Sequence, residues 1–305
     1  MRDLFIRLLT LSTYIGYVGL FLSACSNDTD NELMRPSKIT FTLNQPVNEF
    51  LDENSLDQSI AIRQPMGVNF FQYRWPSANK GTLQFDYESY SFELPFAVRY
   101  TGNADENKQP YIIRKNHLSA AFSQDSKIMH EDACRYLMNF VRELEAKGWK
   151  RYNYHDDPRL LGKEAVSYAI DHDMYPLPER YNLTMEEWMT IDTLRFAYYA
   201  GNAFLKFEVS RNAQKKDIDK LGEYYLSMTI FDRESEIMQH LSTEQRKDWK
   251  NAKQWQEIMK RNYFERYKRE AILEAKGYTI DRNYKDPITH PADPVVFDPE
   301  TYVPN

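Results

Sequence analysis

The 305-residue chain predicts an α+β fold: antiparallel sheets with packed helices, including a long C-terminal helix. Three observations lead there. Segments of period-two alternation cluster between residues 38 and 96 and again between 193 and 231. A long apolar stripe at helical spacing separates them. The order of strands and helices lacks the regular alternation that builds a parallel sheet. Composition agrees, because 22 Tyr and 17 Phe against 10 Gly favour aromatic sheet packing over a glycine-loop nucleotide fold.

The elements follow in order. Lys38 to Leu43 alternates apolar and polar residues until Pro46 interrupts it. Val68 to Trp75 is aromatic-rich and stops at Pro76, and Ser77-Ala78-Asn79-Lys80-Gly81 has turn chemistry. Leu83, Phe85 and Tyr87 then share one face, and Phe92, Leu94 and Phe96 repeat the pattern, with Pro95 marking an edge or strand junction. Two or three antiparallel strands are expected here. Ala133, Tyr136, Leu137, Phe140, Val141 and Leu144 form one continuous helical face. Asp125 or Ser126 is the expected cap, and Gly148 supplies the left-handed position past the end. Residues 149–183, with Pro158, Pro176 and Pro178, read as irregular.

Thr184-Met185-Glu186-Glu187 is a capping-box sequence opening a short helix through Trp188. Thr193 to Tyr199 and Ala203 to Val209 flank Gly201-Asn202 as a hairpin, and Glu223 to Phe231 gives another strand. Ser242-Thr243-Glu244-Gln245 matches a second capping box. The helix expected from it runs to about Lys276, on the order of 50 Å, and Gly277 stops it. Its aromatics (Trp249, Trp255, Tyr263, Phe264, Tyr267) are expected to pack one face on the domain. Glu257, Glu265 and Glu270 among them disfavour an anionic-lipid binder.

The N-terminus carries a processing signal. Arg2 and Arg7 precede a mostly apolar run from Leu8 to Leu22, shorter than the roughly 20 residues of a spanning helix. Leu22-Ser23-Ala24-Cys25 resembles the lipobox of bacterial lipoproteins, in which a small residue fits the peptidase and the cysteine thiol accepts a diacylglycerol. Cys25 is therefore the expected lipidation site. An ordinary signal peptide or N-terminal anchor is the competing reading. Ser26, where Asp tends to retain such proteins in the inner membrane, implies a periplasm-facing outer-membrane anchor. The expected organisation is a signal peptide over 1–24, a lipidated flexible tether over 25–36, an α+β binding domain over 37–285 and a Pro-rich extended tail over 286–305. A division of the domain into two subdomains near 116–125 stays open.

Cys134 has no second cysteine to pair with once Cys25 is lipidated, and it reads as a buried thiol in a helix. The leader contains Arg2, Arg7 and Asp3, so its removal takes the net charge of −6 one unit further negative. That argues against nucleic acid or an anionic surface as the general partner.

Few residues point to chemistry. There is no Gly-rich phosphate loop, no Gly-x-Ser-x-Gly elbow and no His-Glu-x-x-His spacing among His117, His130, His155, His172, His240 and His290. His155-Asp156-Asp157 and Asp171-His172-Asp173 would bind a metal or position a base if they faced each other, and are otherwise solvated polar loops. Glu186-Glu187 complements a helix dipole. No catalytic residue, metal or cofactor is assigned.

Two segments together resemble a known family. His130-Glu131-Asp132-Ala133-Cys134, continuing to Leu144-Glu145-Ala146-Lys147-Gly148-Trp149-Lys150-Arg151-Tyr152, is similar to a helix-plus-Gly-Trp segment of immunity lipoproteins from type VI secretion clusters. Thr184-Met185-Glu186-Glu187-Trp188 followed by Phe196 to Ala203 is similar to that family's Pro-x-Glu-Glu-Trp helix and aromatic strand, with Thr184 departing from the commoner Pro. The order of features corresponds over about residues 120–275. The resemblance implies a non-catalytic protein that binds a secreted phospholipase effector and occludes its active site, an acidic chain meeting a basic partner face. Tyr152, Tyr154, His155, Asp156 and Asp157 have suitable anchor chemistry for that partner. A structural or assembly lipoprotein of the envelope is the alternative, and an enzyme using the His155 and His172 loops a third.

Overall fold

The alternating segments join into one eleven-stranded, mostly antiparallel sheet in the computed structural model, which describes residues 36–172 and 174–303. The leader, Cys25 and the tether up to Arg35 lie outside the described residues, as do Asp173, Pro304 and Asn305. The chain runs through β1 (Lys38–Phe41), β2 (Gln45–Pro46), α1 (Val47–Glu53), β3 (Ala61–Ile62), β4 (Val68–Arg74), β5 (Gly81–Phe85), β6 (Phe92–Asp105) and β7 (Ile112–Ala121). It continues through β8 (Ile128–Met129), α2 (His130–Ala146), β9 (Lys150–Arg151), α3 (Gly162–Asp171), α4 (Met185–Thr190), β10 (Thr193–Ala200) and β11 (Ala203–Arg211). The last elements are β12 (Leu221–Gly222), β13 (Tyr224–Asp232), α5 (Arg233–His240) and α6 (Ala252–Ala275).

The main path across the sheet is β1-β5-β6-β7-β13-β11-β10-β9, with β4 paired to β6, β3 to β4 and β2 to β7. The pair β1–β5 is parallel. Pro95 sits where β6 pairs only with β5; pairing with β7 begins at Ala97, after a register shift with Phe96 at φ +57°. The missing proline donor therefore falls ahead of the second partner strand.

β7 answers the question of two subdomains. It spans the proposed division near 116–125 and pairs with β6 on one side and β13 on the other, so one sheet runs through both halves. Its polar sequence hides this role: Asn116 is buried at the centre of the sheet and accepts a 2.7 Å hydrogen bond from the Tyr100 hydroxyl. From Pro36 onward the chain forms one contact unit.

One face of the sheet, with Phe71, Phe85, Leu118, Met228 and Phe207, is buried against α1, α2, α3 and α4 in the largest apolar cluster. Each such side chain taken out of water contributes about 1.5–3 kcal/mol. The expected stripe of α2 faces this core, but the helix starts at His130 without a side-chain cap, so neither Asp125 nor Ser126 is its N-cap. At its other end Gly148 is at φ +95°; its N–H bonds to the Glu145 carbonyl and the Trp149 N–H to that of Leu144, closing a Schellman motif. Trp149 then turns inward and donates to the Tyr90 carbonyl at 2.9 Å. The capping box of α4 forms between Thr184 and Glu187 and delivers Trp188 to the Tyr224 hydroxyl at 2.9 Å.

The irregular reading of 149–183 missed α3, which buries Ala165, Val166, Tyr168 and Ala169 behind an N-cap, Leu161, that has no capping side chain. The C-terminal helix is shorter than expected. The Ser242–Gln245 box forms, with Ser242 N–H to Gln245 Oε1 at 2.9 Å, but it opens only a 3-10 turn over Gln245–Asp248. Asn251 then caps α6, whose 24 residues span about 36 Å. Among its described residues the proline-rich segment from Asp286 has no helix or strand, yet it is not a free extension. His290 stacks on Trp255 (4.8 Å, 16°), and Asp293 accepts from the Trp255 ring N–H at 2.8 Å. Residue 285 is thus no boundary in packing. Among the described residues no helix is long and apolar enough to cross a membrane.

Candidate functional site

The loop after β9 holds five of the residues expected to meet a partner, and its course is set by the sheet. The Tyr152 N–H bonds to the Ala197 carbonyl, which carries the Tyr152 ring onto the second sheet face against Ala197, Phe204 and Phe231. Its phenol donates to Glu236 Oε1 at 2.8 Å, and His155 Nδ1 is 3.4 Å from the same hydroxyl. Glu236 also accepts from Lys206 at 2.9 Å and from Gln239 at 2.9 Å, and His240 Nε2 is 3.4 Å away.

Burial works against the Glu236 charge, but the His240 and Lys206 contacts prevail and hold its carboxyl at about 2. Burial lowers His155 to about 4, further disfavoured by His240 and Arg266 against the pull of Asp286. His155 is therefore a neutral ring among Tyr152, His240, Trp255 and Tyr263.

These placements correct the surface reading of the loop. Tyr152 and His155 are buried and unavailable to a partner. Tyr154 is half-buried, with Lys206 Nζ 4.8 Å from its ring centre and its carbonyl held by Arg266 at 2.8 Å. Asp156 and Asp157 are half-buried and bound by Arg269, whose guanidinium reaches the Asp156 carbonyl at 3.0 Å and the Asp157 carboxylate at 3.3 Å. The loop is a tie between the sheet and α6.

The two His/Asp clusters do approach each other at one place. Asp157 and His172 both line a cleft of about 550 Å³ between α3 and α6, together with Tyr168, Met174, Arg269 and Ile272. The His172 ring stacks on Tyr168 at 3.7 Å, and its Nδ1 is 2.9 Å from the Tyr168 carbonyl. Burial, with the neighbouring Asp156 charge, raises the Asp157 carboxyl to about 7 against the opposing arginines. Asp171 is not part of the lining and Asp173 lies outside the described residues. Among the described residues no three His, Cys, Asp or Glu side chains are grouped to hold a metal ion. Cys134 is buried in α2, where desolvation and Glu131 push its thiol up to about 11.

What the cleft does present is apolar surface. Met174 is 66% exposed and Ile272 57% exposed beside Arg269, on walls set by Tyr168, Tyr175 and Leu273. None of Tyr168, Met174, Arg269 or Ile272 stood out in the sequence. The Ala165, Tyr168, Ala169 spacing carried the signal for α3, but flanking prolines obscured it. No protein-family profile, curated protein or solved structure matches this chain.

Proposed function

We propose that this chain is a lipid-anchored inhibitor facing the periplasm, which binds a phospholipase effector of type VI secretion and blocks access to its active site. The sequence resemblance suggests the partner class, and the α3–α6 cleft is the observation that carries the binding role. Monomeric surfaces seldom leave large apolar side chains grouped together unless they meet something. Met174 and Ile272 beside Arg269, Tyr168 and His172 have the apolar-plus-arginine composition of interface anchors. A standard interface of roughly 1,600 Å² centred there is sufficient for tight occlusion of a lipase mouth. Cys25 and the tether would keep such an inhibitor at the membrane where the lipase acts.

The test is to examine the neighbouring genes for a lipase, to express it in the periplasm with and without the full chain, and to assay lipid hydrolysis by the purified pair; absence of any lipase gene nearby would also count against the reading. Growth rescue and loss of hydrolysis at equimolar ratio are expected. Undiminished hydrolysis with no detectable complex would overturn the reading in favour of an envelope assembly role.

A further inference from the structure

The second face of the sheet is only partly covered, and its cross-strand registers gather positive charge. Residues directly opposite in an antiparallel sheet point to the same side. One row across β4, β6, β7 and β13 is Gln72, Thr101, His117 and Thr229; the next is Arg74, Arg99, Ser119 and Ser227. Lys115, opposite Asn103, belongs to the row on one side, and Tyr225, 46% exposed, to the row on the other.

Three other cations on this face are matched: Lys38 with Glu93, Arg195 with Glu208 and Lys206 with Glu236. Among the described residues Arg74, Arg99 and Lys115 form no ion pair. Arg74 bonds to the Gln72 amide at 3.0 Å, and Lys115 lies over the Phe231 ring at 5.7 Å, with Glu236 and Asp232 in its wider surroundings. Arg74 and Arg99 are direct cross-strand neighbours, an arrangement that costs stability in the free protein. His117 in the adjacent row has its pKa lowered, first by burial and then by Lys115 and Arg99.

We propose that this open face docks an acidic patch on a partner protein, with Arg74 and Arg99 as the charge contacts and Tyr225 as the aromatic anchor. A carboxylate seated between the two arginines would relieve their repulsion. Small polar neighbours (Ser119, Ser227, Thr101, Thr229) leave room for it. A membrane fits less well, because a broad anionic plane would repel a chain of net charge −6. A compact acidic patch meets only the local strip, within about a Debye length. This contact shares no residue with the α3–α6 cleft and does not rest on the inhibitor reading.

A photo-crosslinking residue placed at Ser227, in the same row as Arg99 with Ser119 between them, tests it in the full chain in producing cells. The expected adduct is one protein, joined through a peptide rich in Asp or Glu. Arg99→Glu, which converts the Arg74 neighbour into an opposite-charge pair and so spares the fold, is expected to lower the adduct at least tenfold, and Arg99→Lys to retain it. Adducts with lipid alone, a protein adduct unchanged by Arg99→Glu, or no adduct at all would each overturn the proposal.

Discussion

The Tyr152 phenol donates a 2.8 Å hydrogen bond to the Glu236 carboxylate, joining the loop after β9 to the start of α5 across a sheet face. Glu236 is also the anion for Lys206, so the bond belongs to a buried charge network. Glu236→Ala is expected to cost about 3–5 kcal/mol, because it strands the ammonium of Lys206. Tyr152→Phe removes one hydrogen bond to a charged group and is expected to cost about 1.5–3 kcal/mol. Urea unfolding of the two variants at neutral pH checks the ranking.

His155 gives the fold an acid sensitivity. Its folded value of about 4 lies below the free value of 6.5, so the unfolded chain takes the proton first. The stabilisation is complete above about 6.5 and is lost as pH falls toward 4, a change on the order of 3 kcal/mol. His155→Phe, in the same aromatic surroundings, is expected to flatten the stability profile through that window. A slope unchanged by the substitution would show that another group is responsible.

Asp157 acts with the opposite sign. Its carboxyl is raised to about 7, so its folded state holds a proton that the unfolded state has released, and its contribution is lost as pH rises from about 4 to 7. Asp157→Asn is expected to leave stability at pH 4 unchanged, to raise it at pH 8, and to steepen the His155 acid slope. Thermal melts at the two pH values measure this directly.

Gly277, at φ +90°, closes α6 as Gly148 closes α2, with its N–H on the Glu274 carbonyl and the Tyr278 N–H on that of Leu273, but the two Schellman glycines differ in their surroundings. A Cβ at Gly277 meets nothing within 4 Å, whereas one at Gly148 lies 3.2 Å from Tyr90 Cε1. Gly277→Ala is expected to cost only the left-handed penalty of about 1–2 kcal/mol, and Gly148→Ala more. Equal losses would mean that Tyr90 gives way freely.

The cleft side chains separate binding from folding. Met174→Asp and Ile272→Asp alter exposed positions and are expected to change stability by no more than about 0.5 kcal/mol. Under the proposed inhibitor role, at least a tenfold weaker inhibition of the lipase with an unchanged melting temperature is the expected result.

What the sequence made legible follows from where side-chain pattern and local hydrogen bonding agree. The α2 stripe, the Gly148 ending, the Thr184 box and the Gly201-Asn202 hairpin all specify themselves within a few residues, and each forms. The failures are long-range. The pattern of β7 is hidden because its buried positions include Asn116, a polar residue whose Oδ1 is satisfied by Tyr100 of the next strand. The Ser242 box forms but does not start α6, because the Asn251 cap nine residues later intervenes. The loop from Tyr152 to Asp157 looked like surface because tyrosine, histidine and aspartate usually are; their partners Glu236, Arg266 and Arg269 come from elements far away in sequence. The exposed side chains of the cleft gave no periodic signal, since exposure at Met174 and Ile272 is a property of the packed whole.

The position of β7 has a consequence for the order in which the chain gains structure. Its near partner β6 precedes it directly, but the far partner supplies contacts such as His117 with Thr229, 112 positions later. A chain emerging from its N-terminus therefore presents a bare β7 edge until nearly all of β13 has followed, and pairings of that separation form slowly. During that interval the half-built sheet is an open template for another strand, so a chaperone that shields exposed edges would be most valuable before residue 232 emerges.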